Sequence, residues 1–139
     1  MADPIYTAES TSTGGGRDGH VRSADGIIDL DVKQPPALGG PGGGTNPEQL
    51  FASAYAACFH GAVRLAAKKK DVAIGETSVD AAVSVTPDDT TLQISAVLTV
   101  SLPGLDQEVA DDVVAFAHEL CPYSKATRGN VDVELVAKV

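Results

Sequence analysis

The sequence predicts an α+β fold, a largely antiparallel sheet with a long central helix and a second helix packed on one face. Three observations carry this. Apolar residues alternate with period two over residues 79–85 and 92–100. A long Ala-rich segment with helical spacing precedes these runs, and a second helical segment follows them. The resulting order of strands, helix, hairpin, helix and strand gathers helices on one side of a sheet.

The first third is predicted β structure. Residues 6–13 form a strand, and residues 21–23 and 28–32 flank Ala24-Asp25-Gly26. Asp-Gly between alternating apolar runs is a hairpin signal. Residues 34–44, QPPALGGPGGG, are a loop, because each Gly and Pro interrupts regular pairing.

The long helix opens at Thr45-Asn46-Pro47-Glu48. With Thr45 as N-cap, Glu48 occupies N3 and completes a capping box. With Asn46 as N-cap, Pro47 occupies N1, where its missing N–H costs nothing. Both registers fit the sequence. Leu50, Ala54, Ala57, Cys58, Gly61 and Leu65 recur at helical spacing, and Phe51, Tyr55 and Phe59 form a second stripe beside them. Two stripes predict a helix covered on more than one side.

The two alternating runs are joined by Thr86-Pro87-Asp88-Asp89-Thr90 as a second hairpin, which Leu102-Pro103-Gly104 ends. A second helix over residues 106–120 places Val109, Val113, Phe116, Ala117 and Leu120 on one face. Pro122 stops it, since the residue before a proline avoids the α region. A helical turn at 124–128 and a turn at Gly129-Asn130 lead to a last strand carrying Val131, Val133 and Leu135.

Bulk properties narrow the function. A chain of 139 residues with 43% hydrophobic and 21% charged content fits a single domain, 1–139. A net charge of −9 argues against nucleic acid and anionic membranes as partners. The start, MADPIYTAES, has neither a basic nor an apolar targeting region, which predicts a cytoplasmic protein. The nearly apolar run 50–63 is shorter than the roughly 20 residues of a membrane span.

Three chemistries compete for the remaining motifs. Gly39 and Gly44 have P-loop spacing, but Thr45 stands where a phosphate-binding lysine is required. Cys58, His60, His118 and Cys121 suggest a zinc set, yet positions i and i+2 of a regular helix point about 200° apart. The third is thiol redox chemistry, beside the plainer reading of buried cysteines as small hydrophobes. Two cysteines are too few for a disulfide scaffold, so if they pair the bond is a transient, catalytic or sensing one. A mid-helix cysteine at its ordinary pKa is only about 3% thiolate at neutral pH. Lowering that pKa by about two units takes roughly 2.7 kcal/mol, which a helix dipole confined to terminal turns does not supply. A partly buried cation is needed, and that cation needs an anion.

Gly15-Gly16-Arg17-Asp18-Gly19, Gly44-Thr45-Asn46-Pro47-Glu48-Gln49-Leu50-Phe51, Tyr55-Ala56-Ala57-Cys58-Phe59, Cys121-Pro122-Tyr123-Ser124 and Ala126-Thr127-Arg128-Gly129-Asn130 closely resemble the organic hydroperoxide resistance branch of the Ohr/OsmC family. The resemblance covers nearly the whole chain. It implies a thiol-dependent peroxidase that reduces organic hydroperoxides, including fatty-acid ones, to alcohols. By the family pattern Cys58 is the peroxide-attacking thiol, and Cys121 resolves its sulfenic acid as a disulfide. Arg17 is the activator of the thiolate, and Glu48 pairs with Arg17. The resemblance further implies no bound cofactor or metal, a lipoyl dithiol on a partner protein as external reductant, and an intertwined homodimer as functional unit. Three rivals stand beside it: an OsmC-type peroxidase on the same scaffold, a non-enzymatic thiol redox sensor, and a domain whose two cysteines are merely structural.

Geometry adds one expectation. Glu48 and Cys58 on one straight helix are about 15 Å apart along its axis. The cysteine served by Glu48 and its arginine then lies in a second subunit, or the helix is broken between them.

Overall fold

The computed structural model describes residues 2–139. The chain divides into two compact units, Met1–Leu50 and Phe51–Val139. The α+β class is as expected, but the single sheet is not: each unit holds its own three-stranded sheet.

In the first unit, strands β1 (Ser10–Gly14), β2 (Gly19–Ser23) and β3 (Asp29–Val32) pair antiparallel in that order. The first strand is shorter than the predicted 6–13 and begins later. The β1–β2 turn is closed by the Gly15 N–H donating to the Asp18 carbonyl at 2.8 Å. A side chain at Gly19 would put its Cβ 2.1 Å from the Thr13 carbonyl oxygen, so only glycine fits there. In the β2–β3 turn the Asp25 carboxylate accepts from the Ile27 N–H at 3.0 Å and the Ser23 hydroxyl at 2.6 Å, the Asx chemistry that the Asp-Gly signal anticipates. The Gly- and Pro-rich loop contains one 3-10 turn, Pro36–Leu38, and returns to bridge Val32 with Thr45.

Helix α1 (Pro47–Lys69) is unbroken. The structure decides its start: the Asn46 carboxamide oxygen accepts from the Gln49 N–H at 2.8 Å, which makes Asn46 the N-cap and Pro47 N1. Its end carries no glycine. Asp71 adopts φ 55° there, while Val72 and Asp71 donate to the carbonyls of Ala67 and Lys68 in a Schellman pattern. At 23 residues α1 outruns the apolar run seen in sequence and has the length and composition of a membrane span. It is nonetheless a core helix, because Tyr55, Phe59, Ala62, Val63, Ala66 and Ala67 are buried.

The second unit continues with β4 (Ser78–Pro87) and β5 (Leu92–Ser101), an antiparallel hairpin whose loop is held by the Asp88 carboxylate accepting from the Thr90 and Thr91 N–H groups. Helices α2 (Gln107–Leu120) and α3 (Pro122–Thr127) follow, then β6 (Asp132–Lys138). Strand β6 lies parallel to β5, a departure from the antiparallel expectation. Residues 102–131, mostly helical, are long enough to carry the chain back to the strand's starting edge, which parallel pairing requires. Helix α3 begins two residues before the predicted 124–128 turn, because Pro122 is acceptable at N1. Leu98 and Val100 of β5, the buried stripe of α1, and Ala110, Val113, Val114 and Ala117 of α2 form one core.

Of the two predicted α1 stripes, Phe51, Tyr55 and Phe59 are the better covered, Tyr55 and Phe59 being buried and Phe51 partly so. Ala57, Gly61 and Leu65 are exposed, Leu65 to 44%.

Candidate active site

Two clusters gather the residues singled out in the sequence, one in each compact unit. In the first, the β1–β2 turn presents Arg17 to the first turn of α1. Its Nη1 donates to Glu48 Oε2 at 3.1 Å and its Nη2 to Glu48 Oε1 at 2.7 Å, a two-pronged pair. The Glu48 side chain is 14% exposed and the Arg17 side chain 41%. Hydrogen bonding to Arg17 holds the Glu48 carboxyl below the usual carboxylate range, against the opposing effect of burial. The same bond raises Arg17 above its ordinary value. Asp18, next in the turn, accepts from Lys33 Nζ at 2.6 Å. Glycines at 14 and 16, with φ of 76° and 75°, give the turn a shape that side chains rarely permit.

In the second cluster, Cys58 of α1 faces Cys121, with 3.4 Å between the sulfurs and no disulfide. Sixty-three residues separate them in sequence. Cys121 is fully buried and occupies the joint where α2 ends and α3 begins. Cys58 is half-buried. Burial pushes its thiol upward, the backbone of Tyr123 pulls it down, and the neighbouring Cys121 adds to the rise. Within this unit, then, burial does not favour the thiolate that nucleophilic chemistry needs.

Aromatic rings run beside the pair from core to surface. Tyr55 contacts Phe51, Phe59 and Tyr123 at centroid distances of 6.0, 6.3 and 5.8 Å. Phe59 is fully buried and belongs to the core, whereas Phe51 and Tyr123 reach solvent. Sequence reasoning missed the group behind them: the Tyr55 hydroxyl lies 2.9 Å from Ser124 Oγ and 3.1 Å from Thr127 Oγ1, all buried. A tyrosine amid an apolar stripe, with Ser and Thr three apart on a short helix, was the available signal.

The histidines are separately engaged. His20 sits between Asp29 and Asp31, His60 bonds Thr77, and the His118 ring packs near Phe59. A hollow of about 750 Å³ lined by Lys70, Val72, Glu108, Val109, Asp111 and Asp112 has charged walls and contains neither cysteine.

Comparison with known proteins places this arrangement in context. The model of the OsmC-like protein family matches residues 40–136. The chain is 46% identical over 136 residues to the organic hydroperoxide resistance protein OhrB of Bacillus subtilis (strain 168), covering 96% of this chain and 98% of that one. It is equally 46% identical, over 140 residues, to the organic hydroperoxide resistance protein of Xanthomonas axonopodis pv. citri (strain 306), covering 97% and 98%. Among solved structures, the organic hydroperoxide resistance protein OsmC from Legionella pneumophila superposes with a TM-score of 0.94 at 43% identity, covering 99% of this chain and 100% of that one.

Proposed function

Because the chain belongs to the OsmC family, in its organic hydroperoxide resistance branch, we propose that it is a cytoplasmic thiol peroxidase reducing organic hydroperoxides, fatty-acid ones included, to alcohols. The observation that carries the reading is the Cys58–Cys121 juxtaposition at 3.4 Å as free thiols. The Cys58 thiolate attacks the terminal peroxide oxygen; the O–O bond breaks, an S–O bond forms, and the alcohol leaves with a proton. Cys121 then attacks the Cys58 sulfur, so that an S–S bond replaces S–O and water departs. An external dithiol of the lipoyl class returns the pair to thiols and is itself oxidised to its disulfide.

Arg17 stabilises the thiolate and the leaving oxygen, and Glu48 orients Arg17. Two N–H groups of the guanidinium are engaged by Glu48, leaving the others free for an anionic partner. Burial opposes the Cys58 thiolate within its own chain, so the cation has to be supplied. Since α1 is unbroken between Glu48 and Cys58, we assign the Arg17–Glu48 pair of one subunit to the Cys58 of another, in an intertwined homodimer. Exposed Ile5, Tyr6, Ile27, Ile28 and Leu30 in the first unit and, separately, the open Ala57–Gly61–Leu65 stripe in the second support apolar surfaces that a second copy would cover.

Steady-state turnover tests the activity. With dihydrolipoamide as reductant, tert-butyl and fatty-acid hydroperoxides should be consumed in excess over protein and faster than hydrogen peroxide. A single turnover with every dithiol tried would instead identify a redox sensor. Mixed dimers of Glu48→Ala and Cys58→Ser chains test the assignment. The cross-subunit arrangement leaves one intact site per mixed dimer, whereas a within-chain arrangement leaves none.

A further inference from the structure

Helix α3 has six residues, too few to be stable on its own, and its N-cap, Cys121, makes no side-chain capping bond. Yet this segment sets the backbone at Cys121, whose carbonyl accepts from the Lys125 N–H at 3.0 Å. Buried hydroxyls hold α3 against α1.

The donors of this cluster can be assigned. Thr127 Oγ1 donates to the Ser124 carbonyl at 3.2 Å, so toward Tyr55 it only accepts. Tyr55 accordingly donates to Thr127 at 3.1 Å, and Ser124 donates to Tyr55 at 2.9 Å. Each hydroxyl donates once and none is left unsatisfied. Tyr55 and Ser124 are fully buried and Thr127 is 4% exposed, so water offers no alternative partner. At the far end, Arg128 Nη2 donates to the His118 carbonyl at 2.6 Å and ties the exit of α3 back to α2.

We propose that the Tyr55 hydroxyl is a positioning group for the second thiol: through Ser124 and Thr127 it pins α3 and so keeps Cys121 within bonding approach of Cys58. For its place in a catalytic cycle this rests on the peroxidase reading above. A disulfide needs sulfurs about 2.0 Å apart, so the pair must close by roughly 1.4 Å from the 3.4 Å seen. A pinned α3 makes that a local adjustment. A loosened α3 spreads Cys121 over positions from which closure is rarer.

The test uses the full chain and its Tyr55→Phe variant, which keeps the ring and removes only the hydroxyl. Equilibration with reduced and oxidised dithiothreitol gives the effective concentration of Cys121 at Cys58 without any peroxide. The expected result is a fall of about threefold to tenfold in Tyr55→Phe. Thr127→Ser, which retains the hydroxyl, should match the parent. In a Cys121→Ser background, Tyr55→Phe should leave the rate of sulfenic acid formation by tert-butyl hydroperoxide unchanged, which general loosening of the core would not. Should Tyr55→Phe not fold, Ser124→Ala reads the same equilibrium. An unchanged or higher effective concentration overturns the proposal, as does failure of the parent protein to form the disulfide. A parent that pairs its thiols and shows the Tyr55 effect but does not consume peroxide overturns the peroxidase reading alone.

Discussion

At the scale of single residues, the Glu48 carboxylate and the Cys58 thiol have opposite needs. Glu48 titrates lower folded than unfolded, chiefly through its bonds to Arg17, so the pair contributes stability above the ordinary glutamate pKa and loses it as pH falls through the depressed folded value. Glu48→Gln should remove that acid-side dependence and cost about 1 kcal/mol near neutrality, the solvent-facing guanidinium limiting the loss; urea unfolding at a series of pH values measures both. Burial raises the Cys58 thiol. On the proposed cross-subunit activation, native Cys58 should titrate below the ordinary thiol range and Arg17→Gln should return it above that range, as followed by ultraviolet thiolate absorbance against pH. These pairings were only partly legible in sequence. Arg17 and Glu48 were named by motif resemblance, since nothing local to either residue announces a partner 31 positions away. The Tyr55–Ser124–Thr127 chain was missed for the same reason: a hydroxyl's partner is set by tertiary packing.

At the scale of elements, the signals that act over a few residues were the readable ones. Pro47 after Asn46 marks where α1 begins, and alternation with period two marks β4 and β5. The end of α1 was harder, because Asp71 takes the left-handed position that glycine usually marks. Asp71→Gly should stabilise the protein by about 0.5–1 kcal/mol by relieving that backbone, as a shift in the chemical denaturation midpoint. Strand pairing across long connections was not readable. Alternation says which face of β6 is apolar but not which neighbour or direction it takes, so it specifies neither the parallel β5–β6 pair nor the division into two sheets.

At the scale of the whole molecule, apolar surface without cover is the main open feature of the chain. If the proposed homodimer uses the open α1 stripe, Leu65→Glu should little affect folding of the chain but abolish self-association, measured by sedimentation, and the proposed peroxide turnover should fall with it. The sequence showed two α1 stripes, and a single chain buries Tyr55 and Phe59 of one while leaving Ala57, Gly61 and Leu65 of the other exposed. The depth of Cys121 has a separate outcome. Because that sulfur lies at zero exposure while its counterpart is half open, native protein treated with iodoacetamide should take up one carbamidomethyl group, at position 58. The second should add only after denaturation, so that mass spectrometry counts two sulfhydryls in the unfolded chain and one in the folded.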